Sequence, residues 1–357
     1  MNKKIWYPLL AVFTLLSAWA HFYTSIQPLQ FGTACLSLLI WAALLGKATE
    51  SVAHYAGERI GGFLNATFGN AAELIIAIFL VKEGLFDMVK ASITGSIIGN
   101  LLLVLGLSMF MGGVKYKTQN FNPVLAGHNA SLMMLAVIAL FVPAAFLTDP
   151  QRVTAEEDIT VSVIIAVALI LAYILWLIFS LITHRNELGA SIDGMVDGIE
   201  DKEHAIWSKR GSILVLVIST TFVAIQSEWL VHSVQSVAHA LGWTEMFVGA
   251  FLIAIIGNAA EHSAAIFLAM KNRMGAAVEI AIGSSLQIAL FVAPMLVFVS
   301  LLFNRPMDLV FTNYEVAAVA VSAFIASSVS RDGSTNWYEG TLLLLVYVIL
   351  GTVFFIV

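Results

Sequence analysis

Long apolar stretches alternate with short polar ones along the whole chain. Eleven stretches are long enough to be membrane-spanning helices, because such a helix needs about 20 mostly apolar residues. The pattern therefore predicts an all-α polytopic membrane protein with eleven transmembrane helices. The predicted spans are 6–22, 29–46, 60–81, 88–113, 124–148, 158–183, 211–238, 245–270, 275–303, 311–330 and 337–357.

Composition agrees with this pattern and excludes other classes of protein. Hydrophobic residues make up 60% of the chain and charged residues only 11%, whereas a soluble domain carries about 25% charged residues. The formal charge of -6 argues against a nucleic-acid partner. The single cysteine, Cys35, allows neither an intrachain disulfide nor a thiolate zinc site. The chain contains neither a phosphate-binding GxxxxGK[ST] sequence nor HExxH, so we expect neither an enzyme nor a cofactor.

The basic residues predict the orientation, because cytoplasmic loops are enriched in Lys and Arg. With the N-terminus in the cytoplasm, only Lys82, Lys90, Arg152 and Arg305 lie outside, and the other 13 of the 17 basic residues lie inside. We therefore expect an N-terminus inside and a C-terminus outside. The compact loops favour a bacterial inner membrane, with an organelle membrane as the alternative. The first apolar stretch also resembles a signal peptide with an AWA cleavage site at 18–20, and we expect it to remain as an uncleaved helix.

Two parts of the chain repeat each other at a distance of 188 residues. An odd number of spans separates their starts, so the copies should run in opposite directions across the membrane. Such inverted-topology repeats are typical of secondary transporters, whose binding site lies at the repeat interface near the bilayer midplane. The matching sequences are GNAAE at 69–73 and 257–261, AIFL at 77–80 and 265–268, and GS at 95–96 and 283–284.

The repeat divides the chain into four parts. An extra transmembrane helix occupies 1–28, one five-helix repeat 29–183 and the other 211–357. An acidic cytoplasmic linker at 184–210 joins the repeats. We expect this linker to be a solvated helix, with low-affinity calcium sensing as the alternative.

Glu73 and Glu261 lie near the middle of their predicted spans. An ionisable residue at that depth costs about 2.5 kcal/mol or more. Because two symmetric copies occur and no Lys or Arg lies at similar depth, an external cation is the favoured partner. The alternative is a pair of protonated glutamates that stabilise the helix packing through hydrogen bonds.

Asn70 and Asn258 precede these glutamates by three residues and so share their helix faces. Gly69 and Gly257 come directly before them and predict a break in each helix. Such breaks would free backbone carbonyls near 67–68 and 255–256. The resulting set of carboxylate, amide and carbonyl oxygens suits Ca²⁺, which takes six to eight oxygen ligands, better than Mg²⁺.

The same two carboxylates predict a coupling to protons. A divalent cation stabilises the ionised form of both, so Ca²⁺ and protons compete for the same oxygens. Exchange of one Ca²⁺ for two protons is the simplest stoichiometry.

The sequences GNAAELI at 69–75 and GNAAEH at 257–262 resemble the paired signature regions of the calcium/proton (cation/proton) exchangers, within the cation/calcium exchanger superfamily. The resemblance extends over essentially the whole chain, including GGFLNATF at 61–68 and GSSLQIALFV at 283–292. It implies that the two motif glutamates bind calcium and protons, with the two motif asparagines beside them. It further implies polar support from Ser96 and Ser284, and a pathway lined by Gln287.

One position departs from the family pattern. The segment 95–100 reads GSIIGN, where the family usually has GSxxSN. Gly99 therefore lacks a hydroxyl opposite Gln287, and we assign no ligand there.

The sequence leaves the roles of four further polar residues open. His262 is a proton relay or a hydrogen-bond support of the predicted helix break. Glu50 and Glu228 form vestibules that concentrate cations, or are charges at the membrane interface. Glu279 is a candidate pathway residue in the helix that carries Gly283.

The leading interpretation is thus a calcium/proton antiporter in a lipid bilayer. The alternative is a sodium-coupled or broad-specificity cation exchanger on the same fold, which would want extra hydroxyl-lined sites beside the glutamates. A channel is disfavoured, because pores usually arise from a ring of subunits. The oligomeric state is left open, with a homo-oligomer among the options.

Overall fold

The computed structural model describes residues 3–147, 154–184 and 206–356. Each predicted apolar segment coincides with one helix, except the third, which coincides with two. The helices are α1 Lys3–Tyr23, α2 Gln27–Ala56, α3 Glu58–Phe68, α4 Ala71–Glu83, α5 Phe86–Tyr116, α6 Pro123–Phe146, α7 Glu156–Thr183, α8 Lys209–Leu241, α9 Glu245–Ala269, α10 Met274–Leu302, α11 Asn313–Val329 and α12 Trp337–Ile356, and the strands are β1 Thr118–Asn120 and β2 Ser334–Asn336.

In the described part of the chain, eight helices are long and apolar enough to cross a membrane. These are α2, α5, α6, α7, α8, α9, α10 and α12. Helix α11 is apolar but has 17 residues, and α3 and α4 have 11 and 13. The protein is therefore an almost entirely helical membrane protein. Eleven spans, the inverted repeats, the domain limits and the cytoplasmic N-terminus stay predictions.

Two details differ from the sequence-based expectation. Helix α2 continues past the predicted end at 46. Lys47 and Glu50 interrupt its apolar pattern, but both are good helix formers, so the helix itself does not end there. It stops at Gly57, whose φ of 79° lies in the left-handed region that favours glycine. The fold is also not purely helical, since β1 and β2 pair antiparallel with Thr118 opposite Asn336. Two polar tripeptides carry no strand pattern, and the pairing is between distant parts of the chain.

In the part of the chain that the structure describes, four helices contain a π-helical turn, and three of these turns lie beside candidate site residues. The turn at Gly99–Val104 of α5 follows Ser96, and the turn at Ile288–Val292 of α10 follows Gln287. The turn at Val248–Ile253 of α9 precedes Gly257, while the fourth lies at the end of α7. Such turns frequently occur at functional sites because they redirect side chains within a helix.

The linker's predicted helix and calcium-sensing role fall on residues 185–205, outside the described ranges.

Helix α1 packs on α2 and α8 through specific side-chain contacts. The hydroxyl of Ser17 donates to Oε1 of Gln226 over 2.7 Å. The indole of Trp41 donates to Thr14 over 2.8 Å and stacks on Phe222 with ring centroids 4.2 Å apart. The first helix is therefore joined to both predicted repeats.

We expect Trp41→Ala to lower the free energy of unfolding by about 3 kcal/mol, because it removes a buried ring and leaves a cavity between three helices. Thermal or denaturant unfolding of the purified protein in detergent measures this loss. Trp19→Ala is the matched control, since Trp19 lies on α1 and is 50% exposed; it should change stability by about 0.5 kcal/mol or less. Equal losses in both variants would contradict the importance of this contact.

Candidate functional site

The third predicted span is interrupted where the first GNAAE motif begins. Helix α3 ends at Phe68 and α4 begins at Ala71. Gly69 still has helical dihedral angles, whereas Asn70 departs from them with φ -89° and ψ 20°. Among the described residues, no backbone N–H donates to the carbonyls of Thr67 and Phe68. The break predicted at Gly69 is therefore confirmed, and it leaves two carbonyl oxygens available.

The break predicted at Gly257 is wrong. Helix α9 continues from Glu245 to Ala269, so the carbonyls of Ile255 and Ile256 remain within the helix. Gly257 is instead a point of close approach, because a Cβ added to it would lie 3.4 Å from Cβ of Glu73. Gly257 therefore lies at a contact between the two motifs rather than at a helix break.

Gly69 makes the reciprocal contact. A Cβ added to it would lie 3.1 Å from Oε1 of Glu261 and 2.8 Å from the carbonyl oxygen of Asn65. Each motif glycine thus lies against the glutamate of the other motif. The two GNAAE sequences cross at this point, and the glutamates of both helices meet there.

Glu73 is buried, with 3% of its surface exposed. The hydroxyl of Ser96 donates to its Oε1, and the amide of Asn258 donates to the Ser96 oxygen over 3.0 Å. Its second oxygen, Oε2, is buried and accepts no hydrogen bond from the described residues. One oxygen of Glu73 is therefore oriented by the protein and the other is free to bind.

Glu261 also has one buried oxygen without a partner. Its Oε2 accepts no hydrogen bond from the described residues, and the neighbouring hydroxyl of Ser284 donates to Asn70. The two carboxylates lie close enough to repel each other. The ion pairs found in the described part of the chain involve neither glutamate. The pair thus carries up to two negative charges without a basic residue to balance them.

A chain of amide and hydroxyl groups surrounds the glutamates. Ser284 donates to Oδ1 of Asn70 over 2.9 Å, and Nδ2 of Asn70 donates to Oε1 of Gln287 over 2.7 Å. Asn258 uses its amino group for Ser96 and for the carbonyl of Ala254, so its amide oxygen is the atom left for a cation. Both motif asparagines are held in place by neighbours from other helices.

Asn100 belongs to the same network and was missed from the sequence. Its Nδ2 donates to Ser284 over 3.2 Å, and its Oδ1 lies 3.0 Å from Nε2 of His262. With an amide oxygen as acceptor, Nε2 is the donor. His262 therefore supports Asn100 and not a helix break at Gly257, since that break is absent. The Gly-Asn pair at 99–100, which repeats the opening of the motif, was the available signal.

The other candidate residues lie away from the glutamates. Glu228 pairs with Lys82 over 3.3 Å, and both side chains are about half exposed. Lys82 is nine residues beyond Glu73 on α4, or about 13 Å along the helix axis. Glu50 is exposed near the end of α2. Glu279 lies two turns before Gln287 on α10, with Asn129 of α6 beside it.

The donor set is limited in charge. The described residues contain no group of three or more His, Cys, Asp or Glu side chains placed to hold a metal ion. Two carboxylates with amide and carbonyl oxygens can still neutralise one divalent ion, and hard oxygen donors favour Ca²⁺ over softer metals.

Comparison with known proteins identifies the family. The profile of the sodium/calcium exchanger protein family matches residues 26–182 and 211–356. The Ca²⁺/H⁺ antiporter ChaA of Bacillus subtilis is 47% identical over 91% of this chain and 92% of its own length. The Ca²⁺/H⁺ antiporter of Aphanothece halophytica is 44% identical over 99% and 97%. The solved structure of native YfkE is 41% identical, with a TM-score of 0.85 over 99% of this chain and 100% of that one. The chain therefore belongs to the sodium/calcium exchanger protein family, within its calcium/proton (cation/proton) exchanger branch.

Proposed function

We propose that this protein is a secondary active antiporter that exchanges Ca²⁺ for protons by alternating access. The observation that carries the proposal is the meeting of two buried carboxylates, Glu73 and Glu261, each with one oxygen that accepts no hydrogen bond from the described residues. The relatives in Bacillus and Aphanothece, which are named Ca²⁺/H⁺ antiporters, support the identity of the exchanged ions.

The geometry suggests how Ca²⁺ is held. The free oxygens of the two glutamates balance its charge, and the amide oxygens of Asn70 and Asn258 lie beside them. The carbonyls of Thr67 and Phe68 supply further neutral donors at the helix break. Ca²⁺ accepts such a mixed set because it takes six to eight oxygens in flexible geometry. Ser96 fixes the orientation of the Glu73 carboxylate, and Ser284 fixes the amide of Asn70.

The same arrangement couples Ca²⁺ to protons. Two ionised carboxylates that lie close together in a buried site repel each other, so the empty and fully ionised site is unfavourable. The repulsion is relieved either by one bound Ca²⁺ or by protons on the carboxylates. If the site changes its accessibility only in these two loaded forms, one Ca²⁺ crosses in one direction for two protons in the other.

Alternating access is supported by the reciprocal contacts between the motifs. Residue 69 lies beside 261, and residue 73 lies beside 257. The numbers rise on one helix as they fall on the other, which is the pattern of an antiparallel crossing. This is the arrangement expected of inverted-topology repeats that meet at a binding site near the membrane midplane. We place the protein in the bacterial inner membrane with its N-terminus in the cytoplasm.

Reconstituted protein tests the proposal. With sodium absent, a pH gradient imposed across liposomes should drive Ca²⁺ toward the more acidic side as protons leave it. Collapsing the gradient with a protonophore should stop the movement. A Ca²⁺-sensitive dye reports the movement. Protein-free liposomes are the control for leakage. Ca²⁺ movement that requires sodium and ignores pH would favour the sodium-coupled alternative, and no Ca²⁺ movement under any gradient would overturn the proposal.

A further inference from the structure

Helix α10 is buried along most of its length but has one accessible line of residues. Between Met274 and Gln287 the partly exposed residues are Gly275, Glu279, Ile280, Gly283 and Gln287. Four of these five recur at intervals of four residues, which places successive members on one side of the helix. A narrow accessible lane therefore follows α10 from its first turn to the candidate site.

The lane is polar and open where it approaches the site. A Cβ added to Gly283 would meet no atom within 4 Å. The next residue of the line, Gln287, accepts a hydrogen bond from Asn70 of the first motif. Glycines and polar side chains, rather than apolar ones, form most of this line, so it suits water and ions better than lipid.

Glu279 places a carboxylate in this lane. It lies eight residues before Gln287, or about 12 Å along the helix axis. Its neighbour on α6 is the amide of Asn129, which is 2% exposed. An amide neighbour leaves the negative charge of the carboxylate in place. A carboxylate between apolar helices with a neutral neighbour has a cost that a passing cation offsets.

The equivalent line in the first predicted repeat is closed. Subtracting 188 from 279 and 283 gives Ala91 and Gly95 on α5, and both are buried. The backbone of Ala250, in the π-helical turn of α9, occupies the space that a Cβ on Gly95 would need. Ala91 packs against Gly249 of the same turn. One of two equivalent lanes is thus open and the other sealed.

We infer that the α10 lane is the route between the candidate site and the aqueous side where α10 begins, and that Glu279 binds the divalent cation along it. The inference rests on the proposed function for the identity of the ion. A single carboxylate between low-dielectric walls attracts a hydrated divalent cation and raises its local concentration. It holds the cation less tightly than two carboxylates do, so the ion passes on to Glu73 and Glu261.

Cysteine labelling tests the lane. In the full chain with Cys35→Ala, Glu279→Cys should react with a membrane-impermeant thiol reagent when the reagent reaches the side where α10 begins. Ala91→Cys, at the equivalent position of the sealed line, should react at least about 10-fold more slowly, since thiol reactivity follows access. Equal reactivity at both positions, or an unreactive Glu279→Cys, would overturn the inference.

Transport kinetics test the role of the carboxylate. Glu279→Gln should raise the Ca²⁺ concentration that gives half-maximal transport by about 10-fold, equivalent to about 1.4 kcal/mol, and leave the maximal rate within about 3-fold. Glu279→Asp should recover most of the loss. Glu156→Gln, at an exposed carboxylate of α7, is the control. A fall in maximal rate at unchanged half-saturation would mean a structural role and would overturn the inference.

The two arms separate this inference from the proposed function. The labelling arm does not depend on which ion is carried. Failure of Ca²⁺/H⁺ exchange in the unsubstituted protein would therefore count against the proposed function alone. An unreactive Glu279→Cys in a protein that exchanges Ca²⁺ for protons would count against the lane alone.

Discussion

Glu73→Gln and Glu261→Gln should each reduce pH-driven Ca²⁺ transport by about 100-fold or more, equivalent to about 3 kcal/mol. Glutamine keeps the size of the side chain and, at position 73, an oxygen that accepts from Ser96. It removes one of the two negative charges that balance Ca²⁺ and one of the two sites that carry protons. Both halves of the exchange should therefore fail together, as measured with a Ca²⁺ dye and a pH dye in the same liposomes.

Glu228→Gln is the matched control, because Glu228 is paired with Lys82 at the exposed end of α4 and lies away from the site. Its transport should stay within about 2-fold of the unsubstituted rate, since surface ion pairs contribute little. Near-normal Ca²⁺ transport by either motif variant would refute the two-carboxylate mechanism. Loss of Ca²⁺ transport with intact proton movement would refute the competition for shared oxygens.

Gly69→Ala has the second largest expected effect. Its new methyl group would lie 2.8 Å from the carbonyl oxygen of Asn65 and 3.1 Å from Oε1 of Glu261. The first neighbour is backbone and cannot turn aside, so the helix break and the Glu261 carboxylate must shift. We expect at least about a 10-fold loss of transport at every Ca²⁺ concentration, because small misplacements of binding groups have large effects on rate.

The control is Gly46→Ala, at a helical glycine of α2 where an added Cβ meets no atom within 4 Å. It should leave transport unchanged and stabilise the helix slightly, by about 0.5–1 kcal/mol. Size-exclusion profiles and unfolding temperatures of both variants separate misfolding from a distorted site. A fully active Gly69→Ala would show that the glutamate has more room than its contacts indicate.

The helices and the two glutamates could be predicted because their signals are local or repeated. Apolar runs place each helix, and a membrane leaves the backbone few alternatives to helix formation. Carboxylates at 73 and 261 stand out because no other Asp, Glu, Lys or Arg lies near the middle of those runs. The GNAAE repeat adds the expectation that the two glutamates meet, and the contacts of Gly69 and Gly257 bring them together.

The remaining features depend on contacts between distant residues. The sequence around Gly257 is almost the same as that around Gly69, yet only the first copy interrupts its helix. A π-helical turn at Val248–Ile253 precedes the second copy, and no residue pattern marks it. Asn100 and Asn129 acquire their roles only when α5 and α6 pack beside α10. The pairing of β1 with β2 is likewise invisible in either tripeptide.

The reciprocal contacts of Glu73 and Glu261 with the glycines of the opposite motif limit how such a protein can evolve. Neither half alone surrounds its own carboxylate, because Glu73 lies against Gly257 and Glu261 lies against Gly69. A bulkier residue acquired at either glycine would crowd the glutamate of the partner half, and at Gly69 it would also crowd the carbonyl of Asn65 in its own half. Substitutions in the two halves should therefore be selected together. A single half expressed alone could restore both glutamate contacts only by pairing with a second copy in the opposite membrane orientation.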